Sequence, residues 1–164
     1  MVTSPIRDAT AEDLPAIKTI YDHQVRTGIA TFDTVEPPLS YWEERQSSTV
    51  TGHHLLVAEL EARVVGYAYS STYRPRAAYD RTRETSVYLD ASATGRGLGR
   101  ALYDELLGRL RADGIHVALG VIALPNEASE GLHRACGFER IGALPEVGHK
   151  FDRWIDTAFW ALRL

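Results

Sequence analysis

This sequence of 164 residues has few features that would predict disulfides, membrane spans or targeting signals. It holds one cysteine, Cys136, which excludes an intrachain disulfide and indicates a reducing compartment. The longest apolar runs are too short to cross a bilayer. The segment that begins with Met1 has neither the basic nor the apolar part of a signal peptide. We therefore predict a cytoplasmic protein that does not associate with membranes.

Blocks of like charge are also missing. The 18 basic and 22 acidic residues are interspersed and give a net charge of −4 with a pI near 5.8. Such a balance indicates no general affinity for nucleic acid or anionic membranes. The histidines include the pair His53 and His54, but no spacing completes a metal site, so no metal is predicted. The length and near-average composition predict a single domain over residues 1–164.

What the sequence does contain is a glycine-rich stretch between a strand and a helix. Residues 85–90 are rich in side chains typical of strands. Three glycines then follow within five residues: Gly95, Gly97 and Gly99. From Leu98 to Leu110 leucine recurs at every fourth position, which predicts an amphipathic helix. Unpaired N–H groups and the positive end of the helix dipole would meet here, which predicts a phosphate site reinforced by Arg96 and Arg100.

The hydrophobic pattern of the whole chain alternates strands with helices. Strands are predicted over residues 5–9, 55–59, 64–70, 85–90, 117–122, 138–143 and 155–164. Helices are predicted over residues 14–25, 40–46, 98–112 and 126–135. This order is typical of the α/β (α+β) class, with helices on both faces of a mixed central sheet.

Several local patterns refine this picture. Thr10 and Ser40 each have an acidic residue three positions later, which predicts a capping box at the start of each of the first two helices. The stretch 73–83 is rich in arginine and tyrosine and is predicted to lie outside the core. The stretch 144–154, with its proline and glycine, is predicted to be a loop between the last two strands. Asp90 is predicted to form a turn after its strand.

The glycine-rich stretch resembles a motif of the GCN5-related N-acetyltransferases (GNAT), [QR]-x-x-G-x-[GA] after a strand. In this chain the motif reads Thr-Gly-Arg-Gly-Leu-Gly over residues 94–99. The resemblance implies the GNAT fold with a mixed sheet of about seven strands, and acetyl-CoA as co-substrate. It further implies that Gly95, Arg96, Gly97, Leu98, Gly99 and Arg100 bind the pyrophosphate and that Val87, Tyr88 and Leu89 line the cofactor strand. Thr94 replaces the usual Gln or Arg, so that side-chain contact is absent.

A second motif of the same family resembles residues 126–138, which read Asn-Glu-Ala-Ser-Glu-Gly-Leu-His-Arg-Ala-Cys-Gly-Phe. By itself, Asn126 predicts a helix N-cap, and in the family this position also contacts the pantetheine arm of the cofactor. Ser129 lies in the same cofactor-binding motif. His133 stands where most relatives have a tyrosine that protonates the departing thiolate. It is interpreted either as that acid or as a packed helix residue.

Five further segments resemble the phosphinothricin and methionine sulfoximine/sulfone N-acetyltransferase subgroup. They cover residues 78–80, 84–88, 121–126, 147–154 and 159–162. The resemblance implies that Glu84 is the base that deprotonates the amine, the alternative being a surface carboxylate. It also implies that Phe32, Arg76 and Tyr79 form the acceptor pocket. Thr31 and Asp33 depart from the subgroup pattern of Asn and Arg, and Lys150 could reach the site from the stretch 144–154.

The chemistry of acetyl transfer adds one requirement. A backbone N–H at Tyr88 or Leu89 is the natural donor to the oxyanion, and His133 or water would protonate the CoA thiolate.

Arg76 could bind a carboxylate or phosphinate, whereas neighbouring arginines could equally form a solvated basic loop.

These observations predict a direct acetyl transfer from acetyl-CoA to the α-amine of a small amino acid or analogue. Phosphinothricin, methionine sulfoximine and methionine sulfone are the leading acceptors, and the resemblance implies a homodimer. Two alternatives stay open: an acetyltransferase for protein N-termini or lysine, and a CoA-binding module that senses without turnover. Replacement of the base, Glu84→Gln, distinguishes the enzyme from the sensor.

Overall fold

A single sheet runs through residues 5–164, which are the part of the chain described by the computed structural model. The first four residues of the predicted domain, including those on which the signal-peptide prediction rests, lie outside that part. The seven described strands are β1 Ile6–Asp8, β2 Leu55–Leu60, β3 Arg63–Thr72, β4 Thr82–Leu89, β5 Val117–Ala123, β6 Glu139–Lys150 and β7 Arg153–Arg163. The four described α-helices are α1 Leu14–Thr27, α2 Leu39–Gln46, α3 Leu98–Ala112 and α4 Glu127–Ala135.

The strands are ordered β1-β2-β3-β4-β5-β7-β6 across the sheet. The β4–β5 pair is parallel, because α3 connects these strands as a crossover helix. The other neighbouring strands are antiparallel. The β2–β3 hairpin closes through Glu61 and Ala62, which both have positive φ as a tight two-residue turn requires.

The two faces of the sheet hold separate cores. Side chains alternate across each strand, so Leu56 packs toward α3 whereas its neighbour Val57 packs toward α1. The α3 core is built on leucines of the predicted stripe, including Leu102, Leu106 and Leu110, which are fully buried. The α1 core is aromatic and contains Tyr21, Trp42, Tyr67 and Tyr69. The predicted α/β class, with helices on both faces of a mixed sheet, is confirmed.

The helix ends match the sequence in part. The Asp13 carboxylate accepts hydrogen bonds from the Thr10 N–H at 2.7 Å and hydroxyl at 3.0 Å. Gly114, with φ +72°, follows the end of α3 as a left-handed residue. The capping box predicted at Ser40 is wrong, because α2 begins at Leu39 with Pro38 before it and Ser40 lies inside the first turn.

The loop predicted over residues 144–154 is also wrong, because β6 extends to Lys150 and β7 begins at Arg153. Pairing between β6 and β7 shifts register between Leu144 and Gly148. Pro145 lies within that irregularity on an edge strand, where a missing N–H costs no ladder hydrogen bond. The proline therefore interrupts the pairing without ending the strand.

Arg83 contradicts the prediction that the stretch 73–83 lies outside the core. It belongs to β4 and is only 4% exposed. Its guanidinium donates hydrogen bonds to the carbonyl oxygens of Thr51, Asp80 and Thr82 at 2.6–3.1 Å. These carbonyls replace the water that an arginine loses on burial. The composition of the stretch could not show that such partners exist.

Candidate active site

The two parallel strands at the centre of the sheet separate after a short paired segment. Residues Thr82–Glu84 of β4 pair with Val117–Leu119 of β5. Beyond Glu84, β4 keeps its pairing with β3, while β5 pairs with β7 along its full length to Ala123. A cleft therefore opens between the carboxyl ends of β4 and β5. In open sheets of this kind, ligands bind at such an end.

The backbone of β4 presents N–H groups to this cleft. The Asp90 N–H donates to the Val65 carbonyl in β3 at 2.8 Å. N–H directions alternate along an extended strand, so the Tyr88 N–H also faces β3, opposite Tyr67. The N–H groups of Val87 and Leu89 then face the cleft. Of the two oxyanion donors predicted from the sequence, Leu89 has the direction that the role requires.

A groove extends from the cleft to the start of α3. Gly95 and Gly97 both have positive φ, of 72° and 78°, and a Cβ atom on either would meet no other atom within 4 Å. Glycine is therefore required for its conformation, and the backbone lies open to a ligand. The predicted cofactor residues that line this groove are Val87, Tyr88, Leu89, Gly95, Gly97, Gly99, Arg100, Asn126 and Ser129.

Three further residues of the glycine-rich stretch have different surroundings. Leu98 is buried in the α3 core, so its side chain packs inward. Arg96 is exposed, and the Thr94 hydroxyl donates to the Ala91 carbonyl at 3.0 Å. Asp90 forms the predicted turn, because its carboxylate accepts hydrogen bonds from the N–H and hydroxyl of Ser92. These contacts fix the loop that leads into the glycines.

The opposite wall of the groove is the start of α4. Asn126 is its N-cap, and the side-chain oxygen accepts the Ser129 N–H at 3.1 Å. The cap predicted from the sequence is confirmed. Asn126 and Ser129 also line the cleft between β4 and β5, so both residues face the groove and the cleft.

His133 lies in the cleft with both ring nitrogens occupied. Nδ1 lies 2.8 Å from the Ser129 carbonyl oxygen, and Nε2 lies 2.9 Å from the Tyr103 hydroxyl. A carbonyl only accepts, so Nδ1 carries the proton and Nε2 accepts from Tyr103. The ring packs so closely on β5 that a Cβ on Gly120 would lie 2.3 Å from Nε2. Burial lowers the pKa of His133, and the Ser129 contact opposes this only in part.

A second pocket opens from the other side of the cleft, toward α1. It is lined by Tyr21, Ile29, Ala30, Thr31, Phe32, Tyr69, Glu84, Ser86, Tyr88, Val121, Ala123 and Thr157. Glu84, Ser86 and Tyr88 alternate along β4, so their side chains share the α1 face. Burial raises the pKa of Glu84, and the positive charge of Arg45 opposes that rise. A half-buried carboxylate with a raised pKa inside a pocket suits a general base.

The loop before α2 forms one wall of this second pocket and is held by hydrogen bonds from α1, β4 and β6. The Tyr21 hydroxyl in α1 lies 2.7 Å from the Thr31 hydroxyl and donates to Asp33 at 2.6 Å. The Tyr88 hydroxyl donates to the Ala30 carbonyl at 3.2 Å. Lys150 in β6 donates to the Thr31 carbonyl at 2.9 Å. Thr31 and Asp33, which depart from the subgroup pattern, therefore hold the loop in place.

Two predicted acceptor residues lie apart from this pocket. Arg76 and Tyr79 are exposed on the turn between β3 and β4, and neither belongs to the described lining of the pocket. Tyr79 contacts the ring of Tyr73 edge-on at 5.3 Å. Phe32, by contrast, lines this pocket.

Sequence reasoning missed Tyr69, Ser86 and Thr157 as pocket residues. Ser86 could have been found, since it shares the β4 face with Glu84 and Tyr88. Tyr69 comes from a strand that carries no motif, and Thr157 lies between the matched segments of β7, so their place in the pocket depends on strand order. Within residues 5–164, no group of three His, Cys, Asp or Glu side chains could hold a metal ion. Across the same residues, no helix has the length and apolar character needed to span a membrane.

Comparison with known proteins agrees with this geometry. Residues 17–138 match the model of the acetyltransferase (GNAT) family. The chain is 44% identical to phosphinothricin N-acetyltransferase of Alcaligenes faecalis, over 93% of this chain and 78% of that protein. It is 38% identical to the L-methionine sulfoximine/L-methionine sulfone acetyltransferase of Pseudomonas aeruginosa, over 99% of this chain and 96% of that protein.

Two solved structures share the fold over most of their length. A phosphinothricin acetyltransferase of Sinorhizobium meliloti in complex with AcCoA superposes with a TM-score of 0.92 at 41% identity, covering 97% of this chain and 87% of that one. A ribosomal-protein-alanine N-acetyltransferase of Brucella melitensis superposes with a TM-score of 0.91 at 39% identity, covering 97% and 99%. The family match covers most of the chain, and it agrees with a sheet that opens at β4 and β5 and a glycine loop at the start of α3. This chain therefore belongs to the GNAT family of acetyltransferases.

Proposed function

We propose that this protein acetylates the α-amine of a small amino acid or analogue, with acetyl-CoA as the acetyl donor. One observation carries the proposal: the groove at the start of α3 and the pocket that holds Glu84 open into the same cleft. Ala30 and Tyr88 line the groove, the cleft and the pocket. A thioester in the groove and an amine in the pocket would therefore meet between β4 and β5. The names of the relatives support phosphinothricin, methionine sulfoximine and methionine sulfone as acceptors.

The groove fits the donor. Bare backbone at Gly95 and Gly97, next to the N-terminus of α3, suits a pyrophosphate. We assign the backbone of residues 95–100 and the side chain of Arg100 to that group, with Arg96 at the solvent edge. Val87, Leu89, Asn126 and Ser129 would line the path of the pantetheine arm. The thioester supplies an activated acetyl carbon, and the chain supplies its position.

Glu84 is the proposed base. The amine arrives as ammonium and must lose a proton before it attacks, and a carboxylate whose pKa is raised by burial can accept that proton directly or through water. The Leu89 N–H, facing the cleft, is the proposed donor to the oxygen that gains negative charge. Backbone donors that are already oriented lower the barrier because no reorganisation is needed during the reaction.

The CoA thiolate must be protonated after the transfer, and the sequence left His133 and water as alternative proton donors. The contacts of His133 favour water as the proton donor. Its Nδ1–H donates a hydrogen bond to the Ser129 carbonyl, and its Nε2 accepts one from the Tyr103 hydroxyl. Because burial also lowers the pKa of His133, the ring is neutral near pH 7. His133 would then hold Tyr103 and the start of α4 in place.

Phe32 is the proposed wall for the acceptor side chain, and Arg76 and Tyr79 are the proposed ligands of its carboxylate. Within the described lining of the pocket, the charged group is Glu84, so a cation for the carboxylate must come from outside this lining. The exposed turn with Arg76 and Tyr79 leads directly into β4. Binding of the acceptor would bring this turn toward the pocket.

The test is release of free thiol from acetyl-CoA with a panel of acceptors: L-amino acids, methionine sulfone, methionine sulfoximine, phosphinothricin and a basic peptide. We expect saturable turnover with the amino-acid analogues. Glu84→Gln should lose turnover by at least a hundredfold while acetyl-CoA binding, measured by calorimetry, stays intact. Glu59→Gln removes a carboxylate on β2, which β3 separates from β4, and this control variant should retain activity. Normal turnover by Glu84→Gln would refute the assignment of the base.

A second candidate is acetylation of a protein N-terminus, which the name of the Brucella relative favours. Turnover with the peptide alone would establish it. Silence across the panel with acetyl-CoA still bound would instead support the sensor module.

We also propose a homodimer in the cytoplasm. The edge strand β6 exposes Ile141, Leu144 and Val147 at 61%, 47% and 52%, and an exposed apolar edge favours pairing with a second copy. The free thiol of Cys136 agrees with a reducing compartment. Light scattering after size-exclusion chromatography measures the mass, and a mass near 18.2 kDa would rule out the dimer.

A further inference from the structure

The ring of Phe32 rests directly on the backbone of Gly148. A Cβ atom built on Gly148 would lie 2.4 Å from both Cε2 and Cζ of Phe32 and 3.0 Å from Cε1. Carbon atoms in contact need about 3.5–4.0 Å. The position therefore has no room for a methyl group unless the ring moves by more than about 1 Å.

Phe32 also borders the pocket that holds Glu84, and it is 40% exposed. Phe32 lines that pocket together with Tyr69 and Glu84, whereas Gly148 lies buried beneath the ring and outside the described lining. The ring thus separates β6 from the pocket. A displacement of the ring away from Gly148 therefore changes the wall of the space that we assign to the acceptor side chain.

The backbone that carries Phe32 cannot easily absorb such a displacement. The preceding residue, Thr31, is buried and is held by the Tyr21 hydroxyl through its side chain and by Lys150 through its carbonyl. The following residue, Asp33, accepts the hydrogen bond that the Tyr21 hydroxyl donates. With both neighbours held, the ring itself must tilt.

We propose that Gly148 is a specificity-determining position, which sets the depth of the acceptor pocket through the ring of Phe32. As glycine, it lets the ring lie against β6 and leaves space for an acceptor side chain as long as that of methionine sulfone. A larger residue there restricts the enzyme to shorter acceptors. Gly148 acts through Phe32 and is therefore a positioning residue. The inference rests on the acceptor pocket assigned under the proposed function.

The test compares kcat/KM for methionine sulfone and for S-methylcysteine sulfone, which is one methylene shorter. In Gly148→Ala we expect the ratio of long to short acceptor to fall by about tenfold or more, the size of effect that one methylene has in a confined pocket. KM for acetyl-CoA should stay unchanged, because the groove at α3 is on the far side of the cleft. Gly142→Ala is the matched control on the same strand, since a Cβ there meets nothing within 4 Å.

A double-mutant cycle shows whether the effect acts through the ring. In a Phe32→Ala background, Gly148→Ala should no longer change the ratio, because the atoms that clash are gone. Phe32→Ala alone should shift the ratio toward the longer acceptor, and it serves as the readout if Gly148→Ala does not fold. An unchanged ratio in folded Gly148→Ala, or a change that persists without the ring or appears in Gly142→Ala, would overturn the inference.

Failure of the proposed function would look different. Wild-type protein that acetylates peptides but no amino acid refutes the small acceptor, and the same ratio is then measured with peptides whose first residue is methionine or alanine. The inference stands if Gly148→Ala lowers that ratio and falls if it does not. Wild-type protein without turnover on either class refutes both.

Discussion

The Tyr103 hydroxyl lies 2.9 Å from Nε2 of His133 and 3.3 Å from the Thr85 hydroxyl, joining α3, α4 and β4 beneath the proposed reaction centre. All three residues are buried. Thr85 in turn donates to the Leu119 carbonyl in β5 at 3.0 Å, in the segment where β4 and β5 are still paired. These polar contacts thus join the two strands at the base of the cleft to the helix that carries the cofactor motif.

Tyr103→Phe tests whether Tyr103 and His133 transfer a proton during the reaction or only stabilise the structure of the cleft. We expect kcat to stay within about threefold of wild type, since water is the proposed proton donor. Stability should fall by about 1–3 kcal/mol because buried Nε2 loses its donor. Steady-state kinetics and urea denaturation measure the two effects. A loss in kcat of a hundredfold or more would instead make His133 the acid, acting through Tyr103.

Arg45 is expected to lower the pKa of the proposed base, Glu84. Its guanidinium lies 4.5 Å from the ring centre of Tyr41 and 4.4 Å from that of Tyr69, the pocket residue beside Glu84. Its positive charge favours the ionised form of Glu84, so Arg45→Met should raise the Glu84 pKa. The base must be ionised, and activity is lost as the pH falls through that pKa. The acidic limb of the kcat/KM profile should therefore move to higher pH by about one unit.

Arg45→Lys keeps the charge and is the control for that profile. We expect its acidic limb to stay close to that of wild type. An acidic limb that does not move in Arg45→Met would show that the limb belongs to another group or that the charge of Arg45 is screened.

Lys150 is expected to act on acceptor binding and not on the cofactor. It is 4% exposed, its ammonium donates to the Thr31 carbonyl at 2.9 Å, and burial lowers its pKa, with Asp33 opposing. Lys150→Met removes this hydrogen bond and keeps the tyrosine contacts of the loop. We expect KM for the acceptor to rise by about tenfold, an order-of-magnitude figure for one lost charged hydrogen bond, with KM for acetyl-CoA unchanged.

Lys18→Met is the matched control, since Lys18 is the other lysine of the chain and pairs with Asp22 on α1. A rise in both Michaelis constants of Lys150→Met would indicate a general loosening of the fold instead of a loop effect.

Asp13 should make folding stability depend on pH in the acid range. The Arg7 guanidinium donates to both oxygens of Asp13, at 2.7 and 2.9 Å, and these hydrogen bonds lower the pKa of Asp13 to about 2. A pKa lower in the folded than in the unfolded chain stabilises the fold at neutral pH, and this is lost as the pH falls toward 2. Asp13→Asn should cost about 1–2 kcal/mol at pH 7, discounted because Arg7 is partly exposed.

Urea denaturation between pH 2 and 7 measures this difference. The stability of Asp13→Asn and wild type should converge near pH 2, whereas the exposed neighbour in Glu12→Gln should leave the profile unchanged. A constant difference across the range would show that the effect is not electrostatic.

Local residue patterns predict much of the side of the cleft that we assign to the cofactor. Leucines at every fourth position fix α3 because helical periodicity is local, and Gly95 and Gly97 specify positive φ that other residues adopt only with strain. Asn126 caps α4 for an equally local reason, a side-chain oxygen three residues before an N–H. Motifs of contiguous residues therefore predicted this side of the cleft.

The side that we assign to the acceptor depends instead on contacts between distant segments of the chain. Phe32, Glu84 and Gly148 lie on three segments far apart in the chain, and they meet because β7 inserts between β5 and β6 and because the loop before α2 folds onto the sheet. The length of β6 depended on a register shift that tolerates Pro145, and the burial of Arg83 depended on carbonyls from another loop. Contacts between distant segments are set by strand order and packing, which local residue patterns do not encode.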